Sequence, residues 1–372
     1  MKIAFVINSS WNIFNFRLTL IKSLQQLGHQ VIAIAPEDDY APRLISENCK
    51  FIPVSIESRG LNPLKDLKLF LKLWYVFHKE KPDVVMSYTI KPNIYGALAA
   101  RILGIKIICN VTGLGTVFIR QNPIYKVAHW LYKFAFLYPQ KVYFQNSDDY
   151  NLFINLKLVS PSKAEIMPGS GVDLQKFMPK KMLSNDKPIF LLVSRILQDK
   201  GIKEFIEAIK LVFSKGYEAK FQLLGSIEDS NHSGISVNDI HNWQKQGYIT
   251  YLGFTDNVLP FYESADCVIL PSYREGMPKS LLEAMAVAKP IITTNVPGCR
   301  ELVYEGENGY LCAPKDSISL ANSIEKICNL PAIERQKMGQ KSRVIVEQGY
   351  DQNFVTFKYI QTINQITTFN GI

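Results

Sequence analysis

The sequence predicts an α/β protein of two doubly wound domains, each a parallel sheet with helices on both faces. Three observations predict it. A chain of 372 residues is longer than a single hydrophobic core usually supports. Short apolar runs of strand length alternate with helical patterns. A hydrophobic content of 47% beside 20% charged residues fits a water-soluble α/β protein.

In the first half, KIAFVI (2–7) is a strand and FRLTLIKSLQQLG (16–28) a helix ended by Gly28. QVIAIAP (30–36), FIPVSI (51–56), PDVVMSY (82–88), KIICNV (106–111) and KVYFQN (141–146) are further strands, with a helical NIYGALAARILG (93–104) before the fifth. The turn NSSWNIFNFR lacks the Gly-x-Gly-x-x-Gly fingerprint of dinucleotide folds, which argues against a nicotinamide enzyme. The opening MKIAFVINSS passes from a short strand into polar residues and does not read as a signal peptide. No apolar run approaches the ~18 residues of a membrane span. Cys49, Cys109, Cys267, Cys299, Cys312 and Cys328 are scattered without paired spacing, the pattern of reduced thiols in a cytoplasm rather than of disulfides or a metal site.

The net charge of +9 is segregated. Residues 1–170 carry 20 Lys and Arg against 11 Asp and Glu, and the remainder carries 22 against 22. Solubility is the plain explanation, but so complete a segregation points to an anionic partner for the first half. No interleaved basic and aromatic motif suggests nucleic acid, so an anionic membrane surface is preferred. Two stretches bear on this. NPLKDLKLFLKLWYVFHKEKP (62–82) is helical by pattern, with Lys65, Lys68, Lys72, Lys79 and Lys81 beside Leu, Phe and Trp. PIYKVAHWLYKFAFLYPQK (123–141) carries Tyr125, Trp130, Tyr132 and Phe136. Each is either a basic amphipathic helix for a bilayer interface or a surface helix with its core face showing in the pattern.

The second half begins after a Gly-, Pro- and Lys-rich connector, EIMPGSGVDLQKFMPKKMLSNDKP (165–188). IFLLVSRILQDKGI (189–202) gives a buried strand, a turn and a helix entry. Arg195 and Lys200, five apart across that turn, either grip a diphosphate, Arg as a fork and Lys as a point charge, or make surface salt bridges. FQLLGS (221–226), ITYLGF (249–254) and ADCVIL (265–270) are strands, and DNVLPFYESAD (256–266) carries a helix signal. The last strand feeds PSYREGMPKSLLEAMAVAKPII (271–292), where a Gly-Met-Pro turn leads into a helix starting near Ser280. Glu275 lies in the turn and Glu283, eight positions on, one turn into the helix. Free N–H groups at such a helix start face the crevice beyond the strand ends, where anionic ligands sit. A phosphate there, with hydroxyls on the two carboxylates, describes a nucleotide sugar; by spacing alone the pair is equally read as a solvated Glu275 and an ordinary helix residue Glu283. SISLANSIEKICNL (317–330), ERQKMGQKSRVIVEQ (334–348) and DQNFVTFKYIQTINQI (351–366) read as closing helices.

The stretch from Arg274 to Leu311, with Glu275, Glu283, Pro297-Gly298, Glu301-Leu302 and Asn308-Gly309, closely resembles the C-terminal signature of the retaining GT-B glycosyltransferases of family 4. SRILQDKG resembles the same family's strand-Arg-x4-Lys-Gly segment. SYTIKPNIYG and KIICNVTGLGTVF, within 87–118, resemble its branch that extends polyprenyl-diphosphate-linked oligosaccharides in capsule and O-antigen assembly. The resemblance implies a GT-B fold, two Rossmann-like domains facing a central cleft. Residues 1–170, with 351–372 packing back on them, would bind the acceptor, and residues 171–350 the nucleotide sugar. It implies that Glu275 holds the donor sugar, Glu283 binds the ribose hydroxyls, and Arg195 and Lys200 bind the diphosphate. Gly276, Met277, Pro278, Ser280 and Leu281 would line the donor at the helix start, and Gly225, Gly253 and Phe254 would approach the nucleotide. On the acceptor and sugar side it points to Ser9, Ser10, Arg17, Lys91, Thr112 and Gly113, with Gly115 beside them. Arg17 reaches an anionic acceptor or makes a helix-cap salt bridge; Lys91 grips an acceptor phosphate or is a solvated loop lysine. Thr112 stands where many members place a donor-contacting His, which leaves that role open.

The implied reaction is transfer, with retention, of a hexose or N-acetylhexosamine from a UDP-sugar to a hydroxyl of a lipid-diphosphate-linked saccharide. No cofactor is implied, and without an Asp-x-Asp pair after a strand no metal is expected. The implied location is cytoplasmic, at the inner face of the cell membrane. A non-catalytic GT-B carbohydrate- or lipid-binding subunit and a nucleotide-sugar epimerase are the alternatives.

Overall fold

The computed structural model describes residues 1–57, 62–114, 123–180, 187–227 and 234–368, the side chains at 123–126 and 128 excepted. The chain divides into two compact units, Met1–Ser170 with Asn353–Ile372, and Gly171–Gln352.

In the first unit, β1 (Lys2–Val6), β2 (Gln30–Ala35), β3 (Lys50–Pro53), β4 (Val84–Tyr88), β5 (Lys106–Val111), β6 (Lys141–Phe144) and β7 (Ala164–Ile166) form a 7-stranded sheet of order β3-β2-β1-β4-β5-β6-β7. Every pairing in it is parallel. The helices between are α1 (Ser10–Gln26), α2 (Ala41–Ser46), α3 (Pro63–Glu80), α4 (Ile90–Leu103), α5 (Pro123–Ala135) and α6 (Ser147–Asn155). Leu73 and Phe77 of α3, Ala97 of α4, Tyr132 of α5, Phe136 just after it and Phe153 of α6 fill one face of the sheet. Ile13 and Leu20 of α1 fill the other, together with residues from the far end of the chain.

In the second unit, β8 (Ile189–Val193), β9 (Lys220–Leu224), β10 (Thr250–Tyr251), β11 (Cys267–Leu270), β12 (Ile291–Thr294) and β13 (Gly309–Cys312) form a 6-stranded parallel sheet of order β10-β9-β8-β11-β12-β13. Its helices are α7 (Ile202–Ser214), α8 (Val237–Lys245), α9 (Leu259–Ser264), α10 (Lys279–Ala286), α11 (Ser317–Asn329) and α12 (Ala332–Gly349). The final helix, α13 (Gln352–Thr368), belongs to the first unit: Val355, Tyr359 and Ile363 pack in the same cluster as α1.

In each sheet the strand order reverses once, between β1 and β4 and between β8 and β11. The chain winds away in opposite directions on either side of such a point, so the loops leaving the two central strands diverge and open a crevice.

The predicted fold class is the observed one, with local differences. α1 begins at Ser10 rather than at residue 16, because the Ser9 side chain accepts the Asn12 amide at 3.1 Å and starts the helix inside what reads as a turn. α4 begins at Ile90, since Pro92 is tolerated in a first helical turn whose N–H groups have no intrahelical partner. The short elements α2, α6, α8, β7, β12 and β13 escape the pattern reading, β7 lying at the start of the connector stretch. All six cysteines are free thiols.

Candidate functional site

In the second unit the loops leaving β8 and β11, at the switch point of the sheet, bring Lys200 and Glu275 together. The Lys200 ammonium and the Glu275 carboxylate form an ion pair, each side chain 15% exposed. Backbone bonds set the approach. The Tyr273 amide donates to the Asp199 carbonyl at 2.9 Å, and the Ser272 hydroxyl to the same carbonyl at 3.2 Å. Gly201, at φ +74°, lies so close to Pro271 that an added Cβ would stand 2.1 Å from its carbonyl oxygen. The Tyr273 hydroxyl donates to Glu204 at 2.7 Å and anchors the loop to α7. From the other side, the Glu275 amide donates to the Pro297 carbonyl at 3.2 Å, and a Cβ at Gly298 (φ +83°) would meet the Gly276 oxygen at 2.4 Å. The Thr294 hydroxyl donates to the Ser272 carbonyl. Pro297-Gly298 is thus the backbone support of the Glu275 turn.

Glu283 points from α10 toward α9. The Tyr262 hydroxyl donates to its Oε2 at 3.1 Å, and the Lys279 ammonium stands 3.9 Å from its Oε1. Burial holds this carboxyl above the ordinary range, opposed by Lys279, the Tyr262 hydroxyl and Lys176. Tyr262 and Lys176 are neighbours of the site that sequence reasoning passes over, the first inside a helix signal, the second inside the connector. α10 begins at Lys279 with Pro278 as its cap and no capping side chain. The Leu281 amide is engaged by the Pro278 carbonyl at 3.1 Å, so among the two amides read as donors only that of Ser280 lacks an intrahelical acceptor. Gly276 and Pro278 are buried, and Met277 half-buried, at this turn.

Arg195 is exposed at the start of the same loop, whereas Lys200 at its end is paired with Glu275, so the two cations occupy different environments. Gly225 follows β9 with its Cα against the Ser194 carbonyl, where a Cβ would lie at 1.7 Å. Its amide donates to the Gly253 carbonyl at 2.8 Å, and its carbonyl accepts the Tyr251 hydroxyl at 2.8 Å. Gly253 has φ +74°, and Phe254 beside it is 57% exposed. These residues line the same strand-end side of the sheet as the Lys200 loop.

In the first unit, Ser9 caps α1 while the Ser10 hydroxyl donates to Asp38, which also accepts the Trp11 amide at 3.1 Å and the Tyr40 amide at 2.9 Å. Arg17 is buried, with its guanidinium carbon 4.1 Å from the centre of the Tyr88 ring, and it makes no helix-cap salt bridge. Lys91 is neither solvated nor in a loop. It sits on α4, buried, with its ammonium 2.7 Å from Asp66, and ties α4 to α3. Thr112 and Gly113 are half-buried beyond the end of β5, Gly113 at φ +112°. Gly115 lies outside the described residues.

α3 and α5 settle which parts of their patterns face the core. α3 buries Leu69, Leu73, Val76 and Phe77 and exposes Leu64, Leu67, Leu71, Trp74 and Tyr75 among its lysines. Tyr132 on α5 and Phe136 just beyond its end are core residues, not surface aromatics, because they face Phe153 of α6. Val127, Trp130 and Phe134 form the exposed stripe, extended by Leu137. The Tyr125 side chain lies outside the described residues. Among the described residues no helix is long and apolar enough to cross a membrane.

Comparison with known proteins agrees with this architecture. Residues 174–344 match the family of glycosyl transferases group 1, and residues 2–146 the glycosyl transferase 4-like family. The chain is 29% identical to the N,N'-diacetylbacillosaminyl-diphospho-undecaprenol alpha-1,3-N-acetylgalactosaminyltransferase of Campylobacter jejuni, covering 98% of this chain and 99% of that protein. It is also 29% identical to the capsular polysaccharide biosynthesis glycosyltransferase CapM of Staphylococcus aureus, over 80% of each chain. Among solved structures, Anabaena HepE in complex with UDP and glucose superposes with a TM-score of 0.80 at 19% identity, covering 98% of this chain and all of that one. With both units matched and two parallel sheets of this topology, the chain belongs to the GT-B glycosyltransferases, its first unit a glycosyl transferase 4-like domain and its second a group 1 domain.

Proposed function

We propose that this glycosyltransferase transfers a hexose or N-acetylhexosamine, with retention of anomeric configuration, from a UDP-sugar to a hydroxyl of a lipid-diphosphate-linked saccharide in surface-polysaccharide or glycan assembly. The observation that carries the donor side is the meeting of Lys200 and Glu275 at the switch point, with Glu283 and the start of α10 on the next element. Departure of a diphosphate from the anomeric carbon is the hard step. Lys200, Arg195 and the Ser280 amide supply positive charge for it from groups already in place, the form of electrostatic stabilisation that needs no reorganisation during the reaction. Lys200 takes this role without a divalent cation. Glu275, already hydrogen-bonded to Lys200, orients that ammonium and accepts donor-sugar hydroxyls. Glu283 accepts the ribose hydroxyls. The acceptor hydroxyl attacks from the face the diphosphate leaves, and the departing phosphate oxygen takes its proton.

The lipid-diphosphate acceptor is supported by the diphospho-undecaprenol in the name of the C. jejuni relative, and the uridine nucleotide by the UDP held in HepE. The second unit binds the donor and the first the acceptor. Access to a lipid-borne substrate is given by the exposed stripes of α3 and α5, whose apolar and aromatic side chains and lysines suit the inner, anionic face of the cell membrane from the cytoplasmic side.

The test is transfer of labelled sugar from a panel of UDP-sugars to undecaprenyl-diphosphate-linked saccharides, with a chelator present and the product's anomeric configuration read by NMR. An α-linked product from an α-UDP-sugar is expected. An inverted product, or activity abolished by the chelator and restored by a divalent cation, would overturn the corresponding part of the reading.

A further inference from the structure

Lys200 and Glu275 stand on loops from different strands, so their separation depends on how the loop after β8 and the loop after β11 are held to each other. One residue reaches the first loop on both sides of Lys200. The Tyr273 amide donates to the carbonyl of Asp199, the residue before Lys200, at 2.9 Å. Its hydroxyl donates to Glu204 Oε1, in the first turn of α7, at 2.7 Å. Between those two attachments lies Gly201, whose left-handed backbone stands so close to Pro271 that no Cβ fits. Tyr273 itself is two positions before Glu275 in the same turn. The tyrosine therefore brackets one member of the ion pair while its own loop carries the other.

The hydroxyl is held in its donating form. Burial raises the Tyr273 pKa first, the hydrogen bond and charge of Glu204 raise it further, and the charge of Asp199 adds to that, so the phenol keeps its proton at neutral pH. From the loop after β13, the Lys315 ammonium stands 4.8 Å from the centre of the Tyr273 ring. A cation over the ring face draws on its electrons and makes the hydroxyl a stronger donor. Lys315 does so at φ +60°, a backbone setting uncommon outside glycine that persists where the surroundings hold it. On the acceptor side, Glu204 Oε2 is buried with no hydrogen-bond partner among the described residues, so the bond through Oε1 is costly to lose. Three elements of the second unit thus meet at one ring, directly behind the ion pair.

We propose that Tyr273, held by Glu204, is a positioning residue of the donor site: it sets the separation of Lys200 and Glu275, and with it the point at which the Lys200 ammonium meets the donor's diphosphate. The diphosphate rests on the function proposed above; the control of the ion pair does not. The phenol bonds Glu204 rather than Lys200 or Glu275, so its effect on a ligand passes through their placement. Placement is a sensitive quantity, since a displacement of about 1 Å in the reacting geometry costs about a hundredfold in rate.

The test has two arms, both on the full chain. The first needs no ligand. Urea unfolding of Lys200→Ala, Glu275→Ala and the double variant gives the coupling between the two residues, and the cycle is repeated in a Tyr273→Phe background. The coupling is expected to fall by at least half in that background; an unchanged coupling would overturn the proposal, whatever the reaction. The second arm titrates UDP by calorimetry and measures kcat and KM with a UDP-sugar that the wild type turns over. Tyr273→Phe should weaken UDP severalfold in the wild-type background and not at all in Lys200→Ala; equal weakening in both would mark a merely structural tyrosine and overturn the proposal. Its kcat should fall about tenfold or more, with a smaller change in KM. Glu204→Gln, whose amide oxygen still accepts the phenol, should keep kcat near the wild-type value, whereas Glu204→Leu should match Tyr273→Phe. Should Tyr273→Phe fail to fold because Glu204 is left unpaired, Tyr273→Phe/Glu204→Leu removes both partners and carries the same comparisons. Failure of UDP to bind the wild type would count against the donor reading alone, and the unfolding cycle would still decide whether Tyr273 positions the pair.

Discussion

Lys200 and Glu275 neutralise each other in the free protein, so removing either leaves the other a nearly buried charge without its partner. Such a loss is costly even where the intact pair adds little net stability. Lys200→Ala and Glu275→Ala are each expected to lower turnover by about a hundredfold or more, about 2.7 kcal/mol of transition-state stabilisation, and to lower the melting temperature. The double variant Lys200→Met/Glu275→Leu should recover much of the lost stability while staying inactive, which separates the fold's use of the pair from the reaction's. A double variant less stable than either single one in denaturant titration would contradict this. Glu283 gives a pH prediction. Burial raises its folded pKa, so the folded state favours the protonated acid, and ionisation on going to higher pH costs stability rather than adding it. Ribose hydroxyls are better accepted by the carboxylate, so UDP affinity should be flat above the raised pKa and fall as pH drops through it. Tyr262→Phe removes a hydroxyl that stabilises the carboxylate, and should shift this acid limb to higher pH. An unshifted limb in titrations at several pH values would separate Tyr262 from the titration.

At the scale of elements, loops rather than helices set the donor geometry. Gly298→Ala would place a methyl carbon 2.4 Å from the Gly276 oxygen and demand a positive φ of alanine. A loss of about 1–3 kcal/mol of stability is expected, with turnover falling at least tenfold as the Glu275 turn shifts. Normal kinetics in this variant would show that the turn's position is not critical. The exposed stripe of α5 is testable alone. Trp130→Ser/Phe134→Ser should cut sedimentation with anionic vesicles severalfold without changing the melting temperature, because neither side chain is in the core. These elements also show what the pattern of residues reveals and what it hides. Strand and helix alternation marks nearly every central strand, since buried parallel strands are short apolar runs. It loses the start of α1, where a capped helix begins inside polar residues, and it leaves open which way Tyr132 and Phe136 face, because a stripe of aromatics does not say which face is inward.

At the scale of the molecule, the spacing of Glu275 and Glu283 on a turn and helix is legible because both lie on one strand-loop-helix unit. The pairing of Lys200 with Glu275 is not, since it joins loops from separate strands and exists only once the sheet order is set. The same holds for Lys91 with Asp66 and for Arg17 over Tyr88, where the partner decides whether a cation is free for a ligand. The chain's end is part of its first unit. The Tyr359 hydroxyl reaches Asn110 and the Tyr143 hydroxyl bonds Thr362 at 2.5 Å, beneath a buried apolar seam. Truncation after Asp351 should therefore speed hydrogen exchange in β4, β5 and β6 while leaving β8 and β11 protected. Uniform protection in the truncated chain would contradict that assignment.

The most direct test of the account is thermal stability of the protein with UDP, GDP, ADP and a set of UDP-sugars, in the presence of a chelator. A ligand that binds only the native state must raise its apparent stability. Selective stabilisation by UDP and by one UDP-sugar, lost in Lys200→Ala, is the predicted result. No stabilisation by any nucleotide, or an equal shift in Lys200→Ala, would contradict the assignment of the donor site to the Lys200 and Glu275 loops.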